Sequence, residues 1–161
     1  MFTTRPVGLD FLDAAPVRLA FAGTLQAPPK TVFDAVARDI EALPHWYGAV
    51  SAAEHGPGPH GVGIRRRVRL VGNVAFHEQV IAWDDPARFA YRIERTTVPG
   101  IRAMAEQWAV LETARGTRLI WTIALDANLA TAALVRSMAP GMGLATRRAV
   151  AKLDRRLGAG A

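Results

Sequence analysis

The sequence predicts an α+β fold in which a curved, seven-stranded antiparallel sheet and two short helices lie against one long C-terminal helix, over a cavity. Most of the chain up to residue 126 consists of short segments of alternating apolar and polar residues, separated by turn signals. Residues 129–157 then carry apolar side chains at helical spacing. Short connections between successive strands indicate an antiparallel meander, because parallel strands need long crossovers.

The elements follow one another in a simple order. Residues 1–14 are expected to be a loosely held lead-in, and alternation predicts the first strand at 17–25. Pro28-Pro29 opens a first short helix, since proline is tolerated at the first helical position. A second short helix, at about 40–43, is expected to stop before Pro44. The other strands are predicted at 50–54, 62–70, 74–83, 88–96, 102–112 and 117–125.

The long final helix contains a flaw in its sequence. Pro140-Gly141 lies about one-third of the way along it, where proline is expected to kink or split the helix. Such a defect, followed by Gly143, would leave room beside the helix for a ligand. The apolar stripe of this helix comprises Val135, Met138, Met142, Ala145, Ala149, Leu153 and Leu157.

Strand parity predicts which side chains face the cavity, because alternate residues of a strand point to opposite faces. By this rule Phe89 and Tyr91 point inward, as does Trp121. On strand 102–112 the same face carries Glu106 and Trp108. The sequence thus places a carboxyl group among inward-facing aromatic rings.

The turn at Val71-Gly72-Asn73 sets the register of the strands on either side. A three-residue turn with glycine at positive φ puts Val68 opposite Phe76 and Arg66 opposite Glu78, all on the inner face. A two-residue turn would break the apolar alternation, because a one-residue slip reverses every side chain. Two interpretations of Arg66 and Glu78 stay open: an internal ion pair that fixes the sheet, or a polar anchor for oxygens on a hydrophobic ligand.

Seven aromatic residues and two methionines are the candidates for an apolar lining. Aromatic side chains at inward positions also fit a plain core, so both interpretations stay open for them. The two methionines would provide an adaptable surface. The candidate ligand-binding residues are Phe33, Trp46, Phe76, Phe89, Trp108, Trp121, Met138 and Met142, with Tyr91 beside the polar groups.

Composition sets the outer limits. The 161 residues, half of them hydrophobic, fit one domain over residues 1–161, and the absence of cysteine excludes thiolate chemistry. No metal, cofactor or covalent nucleophile is expected, since no histidine pair or serine lies in a suitable motif. A cytoplasmic location is expected, because neither a signal peptide nor a membrane span is evident. The net charge of +6 is spread over many arginines without an RNA-binding strand motif, which argues against nucleic acid.

The order and spacing of several short segments resemble the START-related SRPBCC superfamily, which has the helix-grip fold, and within it the polyketide cyclase/dehydrase and lipid-transport group. These segments are Pro28-Pro-Lys-Thr-Val-Phe33, Leu43-Pro-His-Trp46, Gly61-Val-Gly-Ile-Arg65, Trp83-Asp-Asp-Pro86, Arg88-Phe-Ala-Tyr91, Glu106-Gln-Trp-Ala-Val110 and Gly116-Thr-Arg-Leu-Ile-Trp-Thr122. The resemblance covers residues 17–157 and implies a hydrophobic, partly oxygenated ligand. If the protein is a cyclase, it implies aldol cyclisation or dehydration of a polyketide. We hypothesise that Arg66 then stabilises an enolate while Glu78, Glu106 or Tyr91 moves protons.

Two other functions remain as alternatives. Like lipid-carrying and ubiquinone-binding members, the protein would be a non-catalytic carrier or chaperone that makes weak contact with an anionic membrane. Like the ribosome-associated, toxin-like branch, it would bind a macromolecular partner. Both would use the basic helix face of Arg147, Arg148, Lys152, Arg155 and Arg156.

Overall fold

A curled antiparallel sheet forms most of the molecule, and the computed structural model describes residues 1–160 of the chain. The strands are β1 (Phe2–Thr3), β2 (Val17–Leu25), β3 (Val50–His55), β4 (Arg65–Leu70), β5 (Ala75–Asp84), β6 (Arg88–Thr96), β7 (Ile101–Thr113) and β8 (Gly116–Ala127). Seven of them lie in the order β2-β8-β7-β6-β5-β4-β3, and the two-residue β1 pairs with β6. The predicted seven-stranded antiparallel sheet is confirmed.

The helices pack on both sides of this sheet, the first short one on its outer face. They are α1 (Phe11–Ala14), α2 (Pro29–Phe33), α3 (Leu43–Trp46) and α4 (Leu129–Ala159), with a π-helical turn at Asp34–Arg38 and a 3₁₀ turn at Ile40–Ala42. The prediction that the second short helix stops before Pro44 is wrong. Pro44 instead lies in the first turn of α3, where its missing N–H has no intrahelical partner to lose.

The register of β4 and β5 follows from the turn between them. Gly72 and Asn73 both have positive φ, at 83° and 63°, and the Leu70 amide donates to the Val74 carbonyl at 2.8 Å. Glycine adopts this backbone region without steric cost, and asparagine tolerates it. The turn therefore places Arg66 opposite Glu78, as predicted.

Helix α4 is continuous, so it is not split at Pro140. Pro140 lies on the exposed side of α4, where water can solvate the carbonyl that proline leaves without a helical donor. Gly143 packs against Phe21 rather than opening space in the cavity, since a Cβ at this position would lie 3.3 Å from the Phe21 ring. Gly23 of β2 is needed for close packing, because a Cβ there would lie 2.7 Å from the Val150 side chain.

The N-terminal segment is held against the sheet. The pairing of β6 with β7 ends at Arg92. Beyond this point the N-terminal segment takes over: the amide of Thr4 donates to the carbonyl of Glu94, and the amide of Arg5 donates to the carbonyl of Arg102. A second apolar cluster then forms between this segment and the outer face of the sheet, from Val7, Leu12, Ala82, Ala90, Ala103, Ala105 and Ala124. These contacts do not fit the loosely held lead-in expected for residues 1–14. No helix in residues 1–160 is long and apolar enough to cross a bilayer.

Candidate functional site

A cavity of about 240 Å³ lies between α4, α3 and the inner face of the sheet. This volume is slightly below the roughly 300–1,000 Å³ of typical ligand sites. The side chains around it are mostly apolar, and four ionisable or polar groups meet at the sheet side. The lining comprises Val36, Leu43, Trp46, Tyr47, Ala49, Val50, Arg66, Val68, Leu70, Phe76, Glu78, Tyr91, Met104, Glu106, Trp108, Trp121, Ile123, Met138, Met142 and Ala145.

Arg66 and Glu78 form an ion pair at the sheet wall of this cavity. Nε and Nη2 of Arg66 both donate to Oε2 of Glu78, at 2.8 and 2.5 Å, and each residue is only 3% exposed. The guanidinium carbon also lies 4.7 Å from the ring centroid of Phe89 and 4.3 Å from that of Tyr91. Burial raises the pKa of Glu78, and the charge of Arg66 opposes that rise. The pair largely satisfies its own charges.

Glu106 has a different environment, although it lies nearby. Its Oε2 accepts hydrogen bonds from the Tyr91 hydroxyl at 2.6 Å and from the Trp121 indole at 2.9 Å. The Trp108 indole donates in turn to the Tyr91 hydroxyl at 3.3 Å. These contacts follow from the sheet, because Tyr91 is the cross-strand partner of Glu106 and Trp108 is that of Trp121.

The environment of Glu106 favours its protonated, neutral form more than water does. Burial and the charge of Glu78 raise the pKa of Glu106 to about 7, against the opposing effects of Tyr91 and Trp121. Burial, followed by the charge of Glu106, also raises the pKa of Tyr91 well above its ordinary value. Tyr91 is therefore a neutral donor at physiological pH, whereas Glu106 is poised between its two forms.

The structure brings ten of the twelve predicted site residues to the cavity. All four predicted catalytic residues line it, and so do Trp46, Phe76, Trp108, Trp121, Met138 and Met142. Phe33 and Phe89 do not: both are fully buried and pack edge-on against Trp83. Strand parity correctly placed Phe89 on the inward face, but its ring packs against that of Trp83 and does not reach the cavity.

Tyr47 is a cavity residue that sequence reasoning missed. Its hydroxyl lies 3.1 Å from Oγ1 of Thr146, which joins the segment after α3 to α4. Its ring packs edge-on against Trp121 at 5.8 Å between centroids. Burial raises the pKa of Tyr47 to about 12, so it stays neutral. The residue follows a short helix, where neither helical nor strand periodicity gives a direction.

The available chemistry is that of an apolar site with a few polar groups. Within residues 1–160 no three His, Cys, Asp or Glu side chains are arranged to hold a metal ion. The cavity offers rings for a flat hydrophobic molecule and groups that donate, accept or move a proton. Arg66, Glu78 and Glu106 are the charged or titrating groups among them.

A curled antiparallel sheet that grips a long helix around an apolar cavity defines the helix-grip, START-related class of proteins. The chain belongs to the polyketide cyclase/dehydrase and lipid transport family, whose sequence profile matches residues 17–158. It is 29% identical over 156 residues to uncharacterized proteins of Mycobacterium tuberculosis and Mycobacterium bovis. The match covers 96% of this chain and 93% of each relative.

Solved structures give the same fold. A START superfamily protein of Mycobacterium smegmatis superposes with a TM-score of 0.71 at 12% identity, over 89% of this chain and 99% of that one. The Zhui aromatase/cyclase of a Streptomyces species also has a TM-score of 0.71, at 16% identity over 87% and 94% of the two chains. A Thermobifida fusca protein is 26% identical, with a TM-score of 0.68 over 87% and 94%.

Proposed function

We propose that this protein binds a hydrophobic, partly oxygenated small molecule in the cavity beneath α4 and promotes its cyclisation or dehydration. The observation that carries the proposal is the concentration of Arg66, Glu78, Glu106 and Tyr91 on one wall of an otherwise apolar cavity. Membership of the polyketide cyclase/dehydrase family and the fold of the aromatase/cyclase support the same interpretation. The protein is proposed to act in the cytoplasm, without a metal or cofactor.

The proposed chemistry needs one group to stabilise a developing oxyanion and another to move a proton. Arg66 uses Nε and Nη2 for Glu78, and its Nη1 makes no hydrogen bond within residues 1–160, so Nη1 is the donor available to an enolate oxygen. Glu106, with its pKa near 7, is suited in its ionised form to take a proton from carbon and, once protonated, to return it to a leaving hydroxyl. Tyr91 would hold the carboxyl group in place.

Ligand binding is tested first, with 2-ethylnaphthalene as an apolar probe. Quenching of the cavity tryptophans should report one site per chain. Ala145→Trp should abolish the signal by filling the cavity, because Ala145 lines it, whereas Ala133→Trp on the exposed side of the same helix should not. Equal binding by both variants would contradict the cavity site.

Catalysis is tested with a synthetic linear β-triketone whose cyclisation gives an aromatic product with a new absorbance band. The wild type should accelerate the reaction, and Arg66→Gln should slow it more than it weakens substrate binding, because an enolate forms only during the reaction. A wild type that binds the triketone without accelerating its cyclisation would contradict the catalytic part of the proposal alone.

A non-catalytic carrier is the second candidate, favoured by the surface of α4. Leu134 and Met138 lie one turn apart and are 57% and 52% exposed, and Met138 also lines the cavity. Further along the helix, Arg148 and Lys152 follow the exposed Leu144 at successive turns. An apolar patch beside cations suits an anionic membrane surface. Co-sedimentation with phosphatidylserine vesicles at low salt, lost at high salt, would support the carrier; no binding at low salt would exclude it.

A further inference from the structure

Glu106 is the carboxyl group of this cavity that has no cationic partner. It is 7% exposed, and its Oε2 receives both of its hydrogen bonds, from Tyr91 and Trp121. Within the described residues its Oε1 makes no hydrogen bond, yet it is not among the polar atoms sealed from solvent. Since Glu106 lines the cavity, Oε1 is the oxygen that faces a ligand.

Burial without a salt-bridge partner favours the neutral acid at Glu106, and it outweighs the two hydrogen bonds to Oε2, which favour the carboxylate. A neutral acid has one oxygen that only accepts and one that carries the proton. Oε2 accepts two hydrogen bonds and so corresponds to the first, which leaves the proton on Oε1, directed into the cavity. A carboxylate would instead be buried among aromatic rings without a direct ion-pair partner, which is costly.

We propose that Glu106 is the specificity-determining residue of this cavity, and that as a neutral acid it donates a hydrogen bond from Oε1 to an acceptor oxygen of an uncharged aromatic ligand. The inference rests on the proposed function and names the ligand class of that site. The lining is suited to such a ligand: the rings of Trp108 and Trp121 are stacked, 5.4 Å apart and 7° from parallel. An ammonium ligand fits less well, because the guanidinium of Arg66 already lies over the Tyr91 ring.

Binding of such a ligand should depend on pH. The titratable or charged groups around Glu106 are Tyr91 on β6, Arg66 on β4, Glu78 on β5 and Tyr47 after α3. The α4 side chains that line the cavity carry no charge. Because burial raises the pKa of Glu106 to about 7, the neutral donor dominates below pH 7 and is lost above it. Affinity for an acceptor oxygen should fall as pH rises above 7, by about tenfold in all, until it equals that of a ligand that makes no hydrogen bond.

Three probes of nearly equal shape test the inference: 2-acetylnaphthalene, 2-ethylnaphthalene and 1-(2-naphthyl)ethylamine. At pH 6, calorimetry or tryptophan quenching should show the ketone binding about tenfold tighter than the hydrocarbon, as expected for one hydrogen bond. At pH 8.5 this preference should disappear. Equal affinity of ketone and hydrocarbon at pH 6, or tightest binding of the amine, would overturn the inference while leaving the proposed function in place. If none of the three bound, both would fail.

Substitutions at Glu106 separate hydrogen bonding from ionisation. Glu106→Gln keeps an accepting oxygen for Tyr91 and a donating amide for the ligand, so it should retain the ketone preference and lose its pH dependence. Glu106→Leu should lose the preference at every pH. Glu112→Gln, on the exposed end of the same strand, is the matched control and should behave as wild type. A Gln variant with wild-type pH dependence would overturn the inference even if the Leu variant failed to fold.

Discussion

Glu78 and Glu106 face the same cavity from strands β5 and β7, and both are buried, yet they have opposite kinds of partner. Oε2 of Glu78 is paired with a guanidinium, whereas Oε2 of Glu106 accepts bonds only from neutral donors. Arg66 thus opposes the rise in the pKa of Glu78 that burial causes, whereas the pKa of Glu106 rises to about 7 and holds that group close to neutrality. The contrast shows how one cavity wall holds a fixed ion pair beside a group that can titrate near pH 7.

The largest effect is expected from breaking the ion pair. Arg66→Leu leaves Glu78 buried without a counter-ion and should lower the free energy of unfolding by about 3–5 kcal/mol. The double variant Arg66→Leu/Glu78→Leu should recover much of this loss, because no buried charge is left. Urea titration of both variants measures the difference. A double variant no more stable than the single one would show that the pair has a packing role instead.

The stability of the protein should depend on pH through Glu106. Its pKa is about 7 in the folded protein, above the value of an exposed glutamate, so folding favours the protonated form. The resulting stabilisation is complete below about pH 4.5 and is lost as pH rises through 7. Relative to Glu106→Gln, the wild type should lose about 2–3 kcal/mol between pH 5 and pH 8. Parallel pH profiles for the two proteins, from denaturant unfolding, would contradict this assignment.

Removing one hydrogen-bond donor from Glu106 should make its protonation differ still more from that of Glu78. Trp121→Phe deletes the indole N–H that bonds Glu106 at 2.9 Å, so the pKa of Glu106 should rise further. Trp108→Phe is the matched control, since that indole bonds Tyr91 rather than the carboxyl group, and its effect should be smaller. Carbon-13 NMR titration of the Glu106 carboxyl, assigned with the Gln variant, measures both. A larger change in the pKa of Glu106 from Trp108→Phe than from Trp121→Phe would contradict the direct role of the Trp121 hydrogen bond.

The smallest effect is expected at Tyr47, because its hydroxyl bonds Thr146 and makes no hydrogen bond to Glu78 or Glu106. Tyr47→Phe removes the bond to Thr146 and should cost about 1 kcal/mol of stability. The titration midpoint of Glu106 should stay near that of the wild type, because Tyr47 is neutral. A marked change in that midpoint would mean that the two sites are coupled more strongly than their contacts indicate.

Much of the inner face was predictable because the sheet obeys simple rules. The turn at Gly72 and Asn73 fixes the pairing of Arg66 with Glu78, and both the positive φ of its glycine and this pairing were predicted from the sequence. The same parity rule placed Glu106 and Trp108 inward. That these residues act on a ligand is still a prediction, since geometry gives their position and not their role.

Other features depended on contacts that no local pattern contains. The continuity of α4 through Pro140 depends on which side of the helix faces water. The ordered N-terminal segment depends on the space that opens beside β6 after Arg92, where Thr4 and Arg5 find backbone partners. Both are set by distant parts of the chain.

By itself, the sequence determined the order of the elements from β2 onward, the meander and the inward face of strands β4 to β8, because periodicity and turn chemistry are local properties. Only the tertiary structure decided that Arg66 neutralises Glu78 while Tyr91 and Trp121 converge on one oxygen of Glu106. It also decided that Phe33 and Phe89 are core and that Tyr47 lines the cavity. The physical reason is that pairing, burial and pKa depend on distances between residues far apart in the chain, which no local pattern specifies.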